Sequence, residues 1–148
     1  MPAGFRVLTR DGFSVALPCP TVEETIPVTL ASGVRVDTRT WSCSSSEVAF
    51  AVSTTTFPRG LAMDLDQASA GSARRTGGTV VAERTVTYDG APGRDITIRV
   101  ERGGQTAMSF ARALLKGRTL VQVNAVMMGD DPEPPPDYPK ILASLDLT

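Results

Sequence analysis

Short segments of alternating hydrophobic and polar residues recur along the first part of the chain, with turn-forming residues between them. These segments occupy residues 5–10, 13–18, 34–44 and 47–57. A period of two places every second side chain on the same face of a β-strand. Asp11 and Gly12 separate the first two segments, and this dipeptide readily takes the positive φ angles of a two-residue hairpin turn. The pattern predicts antiparallel strands, the first two joined by a tight hairpin.

The periodicity changes after Pro58, where small and apolar residues recur at three- and four-residue spacing from Leu61 to Ser72. Such spacing is typical of one face of a helix. Pro58 is suited to the start of a helix, and Gly77 and Gly78 end the run. The spacing predicts a first helix over residues 58–75.

Long strand-like segments return in the second half and predict a meander. They cover residues 79–88, 94–102, 105–117 and 118–128. Residues 103–104 and 116–117 contain glycine where hairpin turns are required. Between Ile96 and Val100 every second residue is Ile or Val, so we expect one face of this strand to lie in the core.

Residues 129–140 interrupt the strand pattern with five prolines and four acidic residues. Proline lacks a backbone donor and fixes φ, which excludes a central strand but permits a helix that begins at proline. We therefore predict a loop, followed by a short helix from Asp137 to Ser144. We also interpret this loop as a candidate partner-binding surface, through the following residues: Asp130, Asp131, Glu133, Asp137 and Tyr138.

The composition narrows the classes of function. The chain has 148 residues, 41% of them hydrophobic, with 15 basic and 16 acidic side chains and no histidine. A balanced charge argues against a nucleic acid partner. The absence of histidine removes the usual general base and the commonest zinc ligand. No run of about 20 apolar residues is present, so we expect a water-soluble domain with no membrane span.

The sequence "GAPGR" at residues 90–94 raises the possibility of a phosphate-binding loop. Such a loop follows a strand and opens a helix, whereas here a strand-like segment follows. We therefore predict a bend between two strands, with Pro92 and Gly93 at the centre of a type II turn.

Acidic and basic clusters carry no catalytic pattern. Asp64 and Asp66 do not share a helical face, and the acids of the proline-rich loop lack the spacing of an EF-hand. We predict solvated acids, with no catalytic residue, no cofactor and no metal. The basic residues of the meander are balanced by Asp95 and Glu101, so we expect cross-strand ion pairs on a solvated face. The basic residues are Arg94, Arg99, Arg102, Arg112, Lys116 and Arg118.

Three further residues, one tryptophan and two cysteines, carry structural predictions. Trp41 is interpreted as an anchor in the core or on a sheet face. Cys19 and Cys43 are the two cysteines of the chain, and each stands near a strand end. Their spacing leaves two alternatives open, which are one disulfide and two unrelated buried thiols.

Five segments stand in an informative order: "GFSVALPCP", "FAVSTTTFPRG", "YDGAPGRDITIRVERGG", "FARALLKGRTLVQVNAV" and "PKILASLDL". Together they resemble the PsbP-like family of bacterial domains over nearly the whole chain. The family shows a G-x-P-G-x-[DE] turn, a G-R hairpin turn and a closing F-x-x-S-[LF] segment. The matching positions are Gly90, Pro92, Gly93, Asp95, Gly117, Arg118, Ser144 and Leu145, with Leu142 or Ile141 in place of the aromatic residue.

The resemblance implies an α+β fold in a single domain over residues 1–148. It implies an antiparallel β-sheet flanked by helices, in an α/β/α sandwich. Similar chains with an early "LPC" and a later "W-x-C" resemble exported proteins, and this favours a bridge between Cys19 and Cys43. Family members are binding proteins without catalysis, although a fold does not fix a function.

We therefore expect a non-catalytic binding or accessory domain of the bacterial cell envelope, periplasmic or exported, with a protein as its partner. Residues 1–12 show no signal peptide. A first alternative is a cytoplasmic chaperone for a secreted effector, which predicts reduced cysteines. A second alternative is a carboxylate- or metal-dependent enzyme, with the acidic loop as its candidate site.

Overall fold

Two antiparallel sheets and one short helix make up the part of the chain that the structure describes. The computed structural model describes residues 4–10, 12–30, 32–45, 47–60, 65 and 77–147. The strands are β1 (Arg6–Arg10), β2 (Phe13–Leu17), β3 (Val22–Thr29), β4 (Arg35–Ser44), β5 (Val48–Thr56), β6 (Thr79–Tyr88), β7 (Ala91–Arg102), β8 (Gln105–Lys116), β9 (Thr119–Met128) and β10 (Asp146–Leu147), and the helix is α1 (Asp137–Ser144). The small sheet has the order β1-β2-β10, and the large sheet has the order β3-β4-β5-β9-β8-β7-β6.

The strands follow the sequence pattern closely. The β1–β2 hairpin is confirmed, with Gly12 at φ 95°. The predicted meander is confirmed as well, since β6, β7, β8 and β9 are successive antiparallel neighbours. The predicted final helix coincides with α1. The predicted helix over residues 58–75 lies outside the described residues, apart from residues 58–60 and 65.

Strand β3 was not predicted, and its position explains why its sequence is unusual. It carries Pro27 and two glutamates, which disfavour a central strand. Among the described strands it lies at one edge of the large sheet and pairs with β4 alone, so one side of its backbone has no neighbouring strand. A proline and charged side chains are typical of such an edge.

The described residues confirm the antiparallel sheet but do not form a clear α/β/α sandwich. Within them, α1 is the one helix with complete turns, and it is eight residues long. Part of the layer that covers the large sheet is the small sheet rather than helix, since Phe13 of β2 packs against Trp41 of β4 in the main core. The described architecture is therefore richer in strand than the resemblance implies.

The main core lies between the large sheet on one side and the small sheet with α1 on the other. Trp41 on β4 is 1% exposed, and its ring meets Phe13 of β2 edge-on with centroids 5.4 Å apart. Its indole Nε1 donates a 2.9 Å hydrogen bond to Glu23 on β3. Such a pair joins a large buried apolar area to a satisfied polar end. The interpretation of Trp41 as a core anchor is confirmed.

The opposite face of the large sheet is also buried in part. Ile96 and Ile98 are 2% and 1% exposed, and Val100 is half-buried, so the expected apolar face of β7 is confirmed. A smaller cluster joins Val36, Phe57, Ala113 and Leu120, with Leu65 packed against it.

A disulfide joins Cys19, which follows β2, to Cys43 on β4, with Cα atoms 5.5 Å apart. Cys43 is 3% exposed, and the bridge therefore ties the small sheet to the large sheet at the edge of the main core. Of the two alternatives left open by spacing, the structure contains the bridge.

Removing this bridge is expected to weaken the fold. The two cysteines are 24 positions apart, and in the chain-entropy model a closed loop of this length stabilises by about 3 kcal/mol. The double variant Cys19→Ala, Cys43→Ala should lose about that much free energy of unfolding, measured by urea denaturation. Wild-type protein in reducing buffer is the matched control and should lose a similar amount. Thiols that alkylate in native protein before reduction would contradict the bridge.

The turn between β6 and β7 differs from the prediction. Asp89 and Gly90 form it, with φ angles of 50° and 76°, and Tyr88 pairs with Ala91 across it. Positive φ at both central residues defines the type I′ hairpin turn, whose twist matches that of the strands. The predicted turn at Pro92 and Gly93 is therefore wrong by three residues. The predicted order of strand, turn and strand is confirmed.

Gly93 is needed for close packing rather than for a turn. A Cβ atom at this position would lie 2.4 Å from Leu114 Cδ2 and 2.5 Å from the carbonyl oxygen of Ala113. Both distances are shorter than any ordinary contact, and one of the two atoms belongs to the backbone of β8. Pro92 is tolerated beside it because the pairing of β7 with β8 begins only at Gly93.

Alanine substitutions should distinguish the packing role of Gly93 from the turn role of Gly90. Gly93→Ala is expected to lower the free energy of unfolding by about 3 kcal/mol, because overpacking forces β7 and β8 apart. Gly90→Ala meets no atom within 4 Å but retains a positive φ, and it should cost about 1 kcal/mol. Thermal or urea unfolding of both variants gives the comparison. A larger loss for Gly90→Ala than for Gly93→Ala would contradict the close packing of Gly93 against β8.

Candidate binding pocket beside the proline-rich loop

An open pocket of about 380 Å³ lies between the large sheet and the proline-rich loop. Its floor is formed by residues of three adjacent strands: Ala82, Glu83, Arg84, Asp95, Ile96, Thr97, Phe110, Ala111 and Arg112. Its wall is formed by the loop and by α1, through Pro132, Pro134, Tyr138, Pro139 and Leu142. The wall is mostly proline and apolar, whereas the floor carries charge. Apolar walls with a few polar groups are typical of binding pockets.

The wall is held in place by α1. Pro136 precedes the helix with φ −57°, a value already suited to the first turn. Tyr138 is 6% exposed, and its hydroxyl donates a 3.2 Å hydrogen bond to the carbonyl oxygen of Val123 on β9. At the other end of the helix, the backbone N–H of Ala16 donates to Ser144 Oγ at 2.8 Å. Both ends of α1 are therefore fastened to strands.

The floor is organised around the carboxylate of Asp95 on β7. Arg112 of β8 donates to it twice, from Nε at 2.7 Å and from Nη2 at 3.0 Å. Arg84 of β6 donates to it once, from Nη2 at 2.9 Å. The Arg112 and Asp95 side chains are 16% and 26% exposed, whereas the Arg84 side chain is 73% exposed. One buried bidentate pair and one exposed arginine thus share a single carboxylate.

The acidity of this carboxylate reflects opposing influences. Burial is the largest single influence and raises the pKa of Asp95, but hydrogen bonds and charge from Arg112 and Arg84 outweigh it. The pKa of Asp95 therefore lies below its ordinary value of 3.8. The hydrogen bonds from Arg112 to Asp95 raise the pKa of that guanidinium in turn. The pair is ionised at neutral pH.

Two tyrosines complete the surroundings of Arg112. Its guanidinium lies 5.8 Å from the ring centroid of Tyr88. The Tyr88 hydroxyl donates to the carbonyl oxygen of Leu145, and it lies 3.1 Å from that of Leu142. Burial raises the pKa of Tyr138, and the charge of Asp95 adds to that effect. Both phenols therefore remain protonated and serve as hydrogen-bond donors to the backbone.

The acidic residues of the loop lie around the pocket rather than in it. Asp130, Asp131 and Glu133 are exposed, and Asp131 Oδ1 accepts a 3.0 Å bond from the backbone N–H of Glu133. Asp137 lies 3.7 Å from Lys140 in the first turn of α1. Tyr138 is the one member of the predicted set whose side chain is buried and also borders the pocket. The loop reaches the pocket mainly through its prolines.

Cross-strand ion pairs were expected in the meander, and several are confirmed. Arg112 pairs with Asp95, and Arg94 pairs with Glu83 at 3.3 Å. Arg99 lies 3.3 Å from Glu101 within β7 itself. The expectation of a solvated face is wrong for Arg112, because Tyr88 and the wall of the pocket cover it. Arg84 was not singled out, although the correct turn would have placed it opposite Asp95.

Two further features concern metal and membrane. Among the described residues, no three His, Cys, Asp or Glu side chains lie close enough together to hold a metal ion. No helix within that part of the chain is long and apolar enough to cross a membrane.

Comparison with a solved structure gives the class of fold. The solution structure of cyanobacterial PsbP from Synechocystis sp. PCC 6803 superposes with a TM-score of 0.64 over 100% of this chain and 95% of its own, at 10% sequence identity. The chain thus has a PsbP-like fold. A Pseudomonas aeruginosa protein of unknown function, PA94, aligns at 11% identity with a TM-score of 0.47, over 93% of this chain and 88% of its own. No protein-family profile and no curated protein sequence matches the chain.

The ion pair on the pocket floor should make stability depend on pH. A folded pKa below the unfolded value stabilises the protein above pH about 4, and this contribution is lost as the pH falls through the folded pKa. Asp95→Asn should therefore be less stable than wild type at pH about 6, and the difference should shrink toward pH about 2. Urea unfolding across that range measures it. Asp37→Asn, at an exposed position of β4, is the control and should follow the wild type. A constant difference at all pH values would contradict the assignment.

Proposed function

We propose that this chain is a non-catalytic binding or accessory domain of the bacterial cell envelope, and that it holds a protein partner in the pocket beside the proline-rich loop. The observation that carries this proposal is the pocket itself. Its wall contains three prolines, whose fixed φ angles limit the entropy that binding would cost. Its floor is set by the Asp95–Arg112 pair. A partner therefore meets a preformed surface.

The chemistry of the pocket favours binding over catalysis. A general base works best with a pKa near the operating pH, whereas the pKa of Asp95 lies below 3.8. The raised pKa of Tyr138 makes its phenol a poor base as well. Both side chains are also engaged in hydrogen bonds that fix strands and helix. The sequence has no histidine to supply an alternative.

The disulfide between Cys19 and Cys43 favours the envelope over the cytoplasm. Disulfides persist in oxidising compartments and are rare where thiols are kept reduced. A cytoplasmic chaperone would be expected to keep both thiols free. The bridge also joins the two sheets of the core, so the oxidised form is the better-stabilised one.

Photo-crosslinking in intact cells of the native host tests the proposal. Replacing Pro132 by p-benzoylphenylalanine puts the crosslinker at the exposed rim of the pocket. Irradiation should give a discrete protein adduct that fractionates with the cell envelope. Pro27 on β3 is the matched control, since it is also an exposed proline but lies at the opposite edge of the sheet.

The outcomes are distinct. An adduct at residue 132 but not at residue 27, in the envelope fraction, supports the proposal. Equal adducts at both positions, or none at either, would remove the pocket as a binding site. An adduct confined to the cytoplasm, with alkylatable thiols, would favour the chaperone instead.

A further inference from the structure

We propose that the pocket takes an extended segment of the partner polypeptide that pairs with the open edge of β6 and places an acidic side chain against Arg84. This inference rests on the proposed function and specifies its ligand. It follows from the edge of the sheet, the charge of the pocket floor and the arrangement of backbone donors along β6.

Within the described residues the large sheet ends at β3 on one side and at β6 on the other, and only β6 suits an added strand. An edge strand exposes unpaired N–H and C=O groups that can pair with another chain. Strand β3 carries Pro27 near its middle, which removes a donor, and its Glu23 is engaged by Arg39 at 2.8 Å. Strand β6 has no proline, and most of its ten residues are exposed.

The backbone donors of β6 that point outward can be assigned from its turn. In a two-residue hairpin the residues that flank the turn, here Tyr88 and Ala91, form a hydrogen-bonded pair. Hydrogen-bonded and open positions then alternate along the strand. The N–H and C=O groups of Thr85 and Thr87 therefore point away from β7, as do those of Glu83. The irregularity between Val80 and Ala82 limits this regular edge to residues 82–88.

Side chains of an added strand would alternate between the two faces of the sheet. Those on the face of Arg84 would lie beside the pocket, because Ala82 and Arg84 both border it. Small apolar residues of the segment would meet Pro132, Pro134 and Leu142 across the cavity. The pocket is thus continuous with the edge of the sheet.

The charge of the floor favours a carboxylate on the incoming segment. Four charged residues border the pocket, and Glu83 among them is paired with Arg94 at 3.3 Å. The remaining three are Arg84, Arg112 and Asp95, so two cations share one anion. Arg112 donates two hydrogen bonds to Asp95 and is mostly buried, whereas Arg84 donates one and its side chain is 73% exposed. A guanidinium has five donors, so Arg84 can bind a second carboxylate without releasing Asp95.

The acidic residues of the proline-rich loop do not themselves supply the carboxylate that we propose for Arg84. Asp131 and Glu133 are exposed, and neither forms an ion pair with Arg84 or Arg112 in the described structure. Their charge surrounds the wall, whereas the excess positive charge lies on the strand edge. An acidic side chain that approaches along β6 would therefore meet Arg84 first.

The test uses a phage-displayed library of random linear peptides of about 12 residues, enough to span the edge of β6. Selection on the intact oxidised protein should enrich peptides in which Asp or Glu stands among alternating apolar residues. In a synthetic peptide from that selection, exchanging the acidic residue for its amide should lower affinity about tenfold, measured by fluorescence anisotropy. Arg84→Gln should produce the same loss, whereas Arg39→Gln at the opposite edge should produce none.

A second pair of variants isolates backbone pairing. Thr85→Pro removes an outward N–H while leaving the bonds of β6 to β7 in place, and it should lower peptide affinity about tenfold. Thr85→Ala keeps that N–H and should bind as the wild type does. Thermal unfolding confirms that all variants are folded. Equal binding by both Thr85 variants would overturn the proposal.

Three further results would also overturn it: no enriched peptide, enrichment without acidic residues, or an unchanged affinity for Arg84→Gln. The crosslink at Pro132 then separates this inference from the proposed function. If that crosslink forms while the peptides fail, the binding function stands and the strand-pairing mode is wrong. If neither is observed, both fall.

Discussion

The structure depends on covering one apolar face of a wide sheet with a small amount of chain. Seven strands span roughly 29 Å between the outermost two, whereas an eight-residue helix is only about 12 Å long. The small sheet covers the region around Trp41, and α1 covers β8 and β9 through Tyr138. Near the β6 edge, α1 accepts a hydrogen bond from Tyr88, whereas Ala82 and Arg84 border the pocket. The pocket is the part of that face left uncovered by the described layer.

This incomplete cover explains why charge is found on the pocket floor. A fully covered strand would carry apolar side chains there, because an unpaired charge is costly to bury. At a partly covered position, Asp95 and Arg112 can satisfy each other and still lose most of their water. Removing Asp95 would leave the mostly buried charge of Arg112 uncompensated, whereas removing Arg112 would leave Asp95 with only its exposed partner Arg84. Arg112 therefore depends on Asp95 more than Asp95 depends on Arg112.

The two edges of the large sheet use the same kind of pair to different effect. At β3, the Arg39 and Glu23 side chains are each nearly half exposed, and such surface pairs contribute little to stability. That arginine also lies 5.0 Å from the ring centroid of Trp41, so it shields the edge of the core. At β6, the exposed Arg84 shares the carboxylate of Asp95 with the more buried Arg112, and it uses one of its five donors to do so. The charges at β3 close that edge, whereas β6 is the edge that we propose for binding.

Much of the fold was predictable from the sequence, and the missing parts have physical causes. Period-two alternation located eight of the ten strands within the described residues, because half-buried strands must alternate. Strand β3 was missed because Pro27 and two glutamates interrupt its pattern, and most of its residues are exposed. Strand β10 has two residues, Asp146 and Leu147, too few for any period. Helix α1 was found because proline and acidic residues mark the start of a helix.

The charged floor of the pocket was not predicted as a site, although one of the two ion pairs of Asp95 follows from a correctly predicted turn. The turn at Gly103 and Gly104 pairs Arg102 with Gln105, and seven further steps along both strands bring Asp95 opposite Arg112. That pair was therefore implicit in a turn that was correctly predicted.

The pairing with Arg84 was lost by the misplaced turn. A turn at Pro92 and Gly93 would put Asp95 opposite Gly90, whereas the observed turn at Asp89 and Gly90 puts it opposite Arg84. Both candidate turns contain a glycine, Gly90 or Gly93. Local turn propensity carries no information about how β7 packs against β8. What decided between them was long-range packing, since Gly93 must lie flat against Leu114 and Ala113 of β8. Gly93 has the residue type of a turn but is required for close packing against β8. The pairing of β6 with β7 therefore differs from the one that a turn at Pro92 and Gly93 would give.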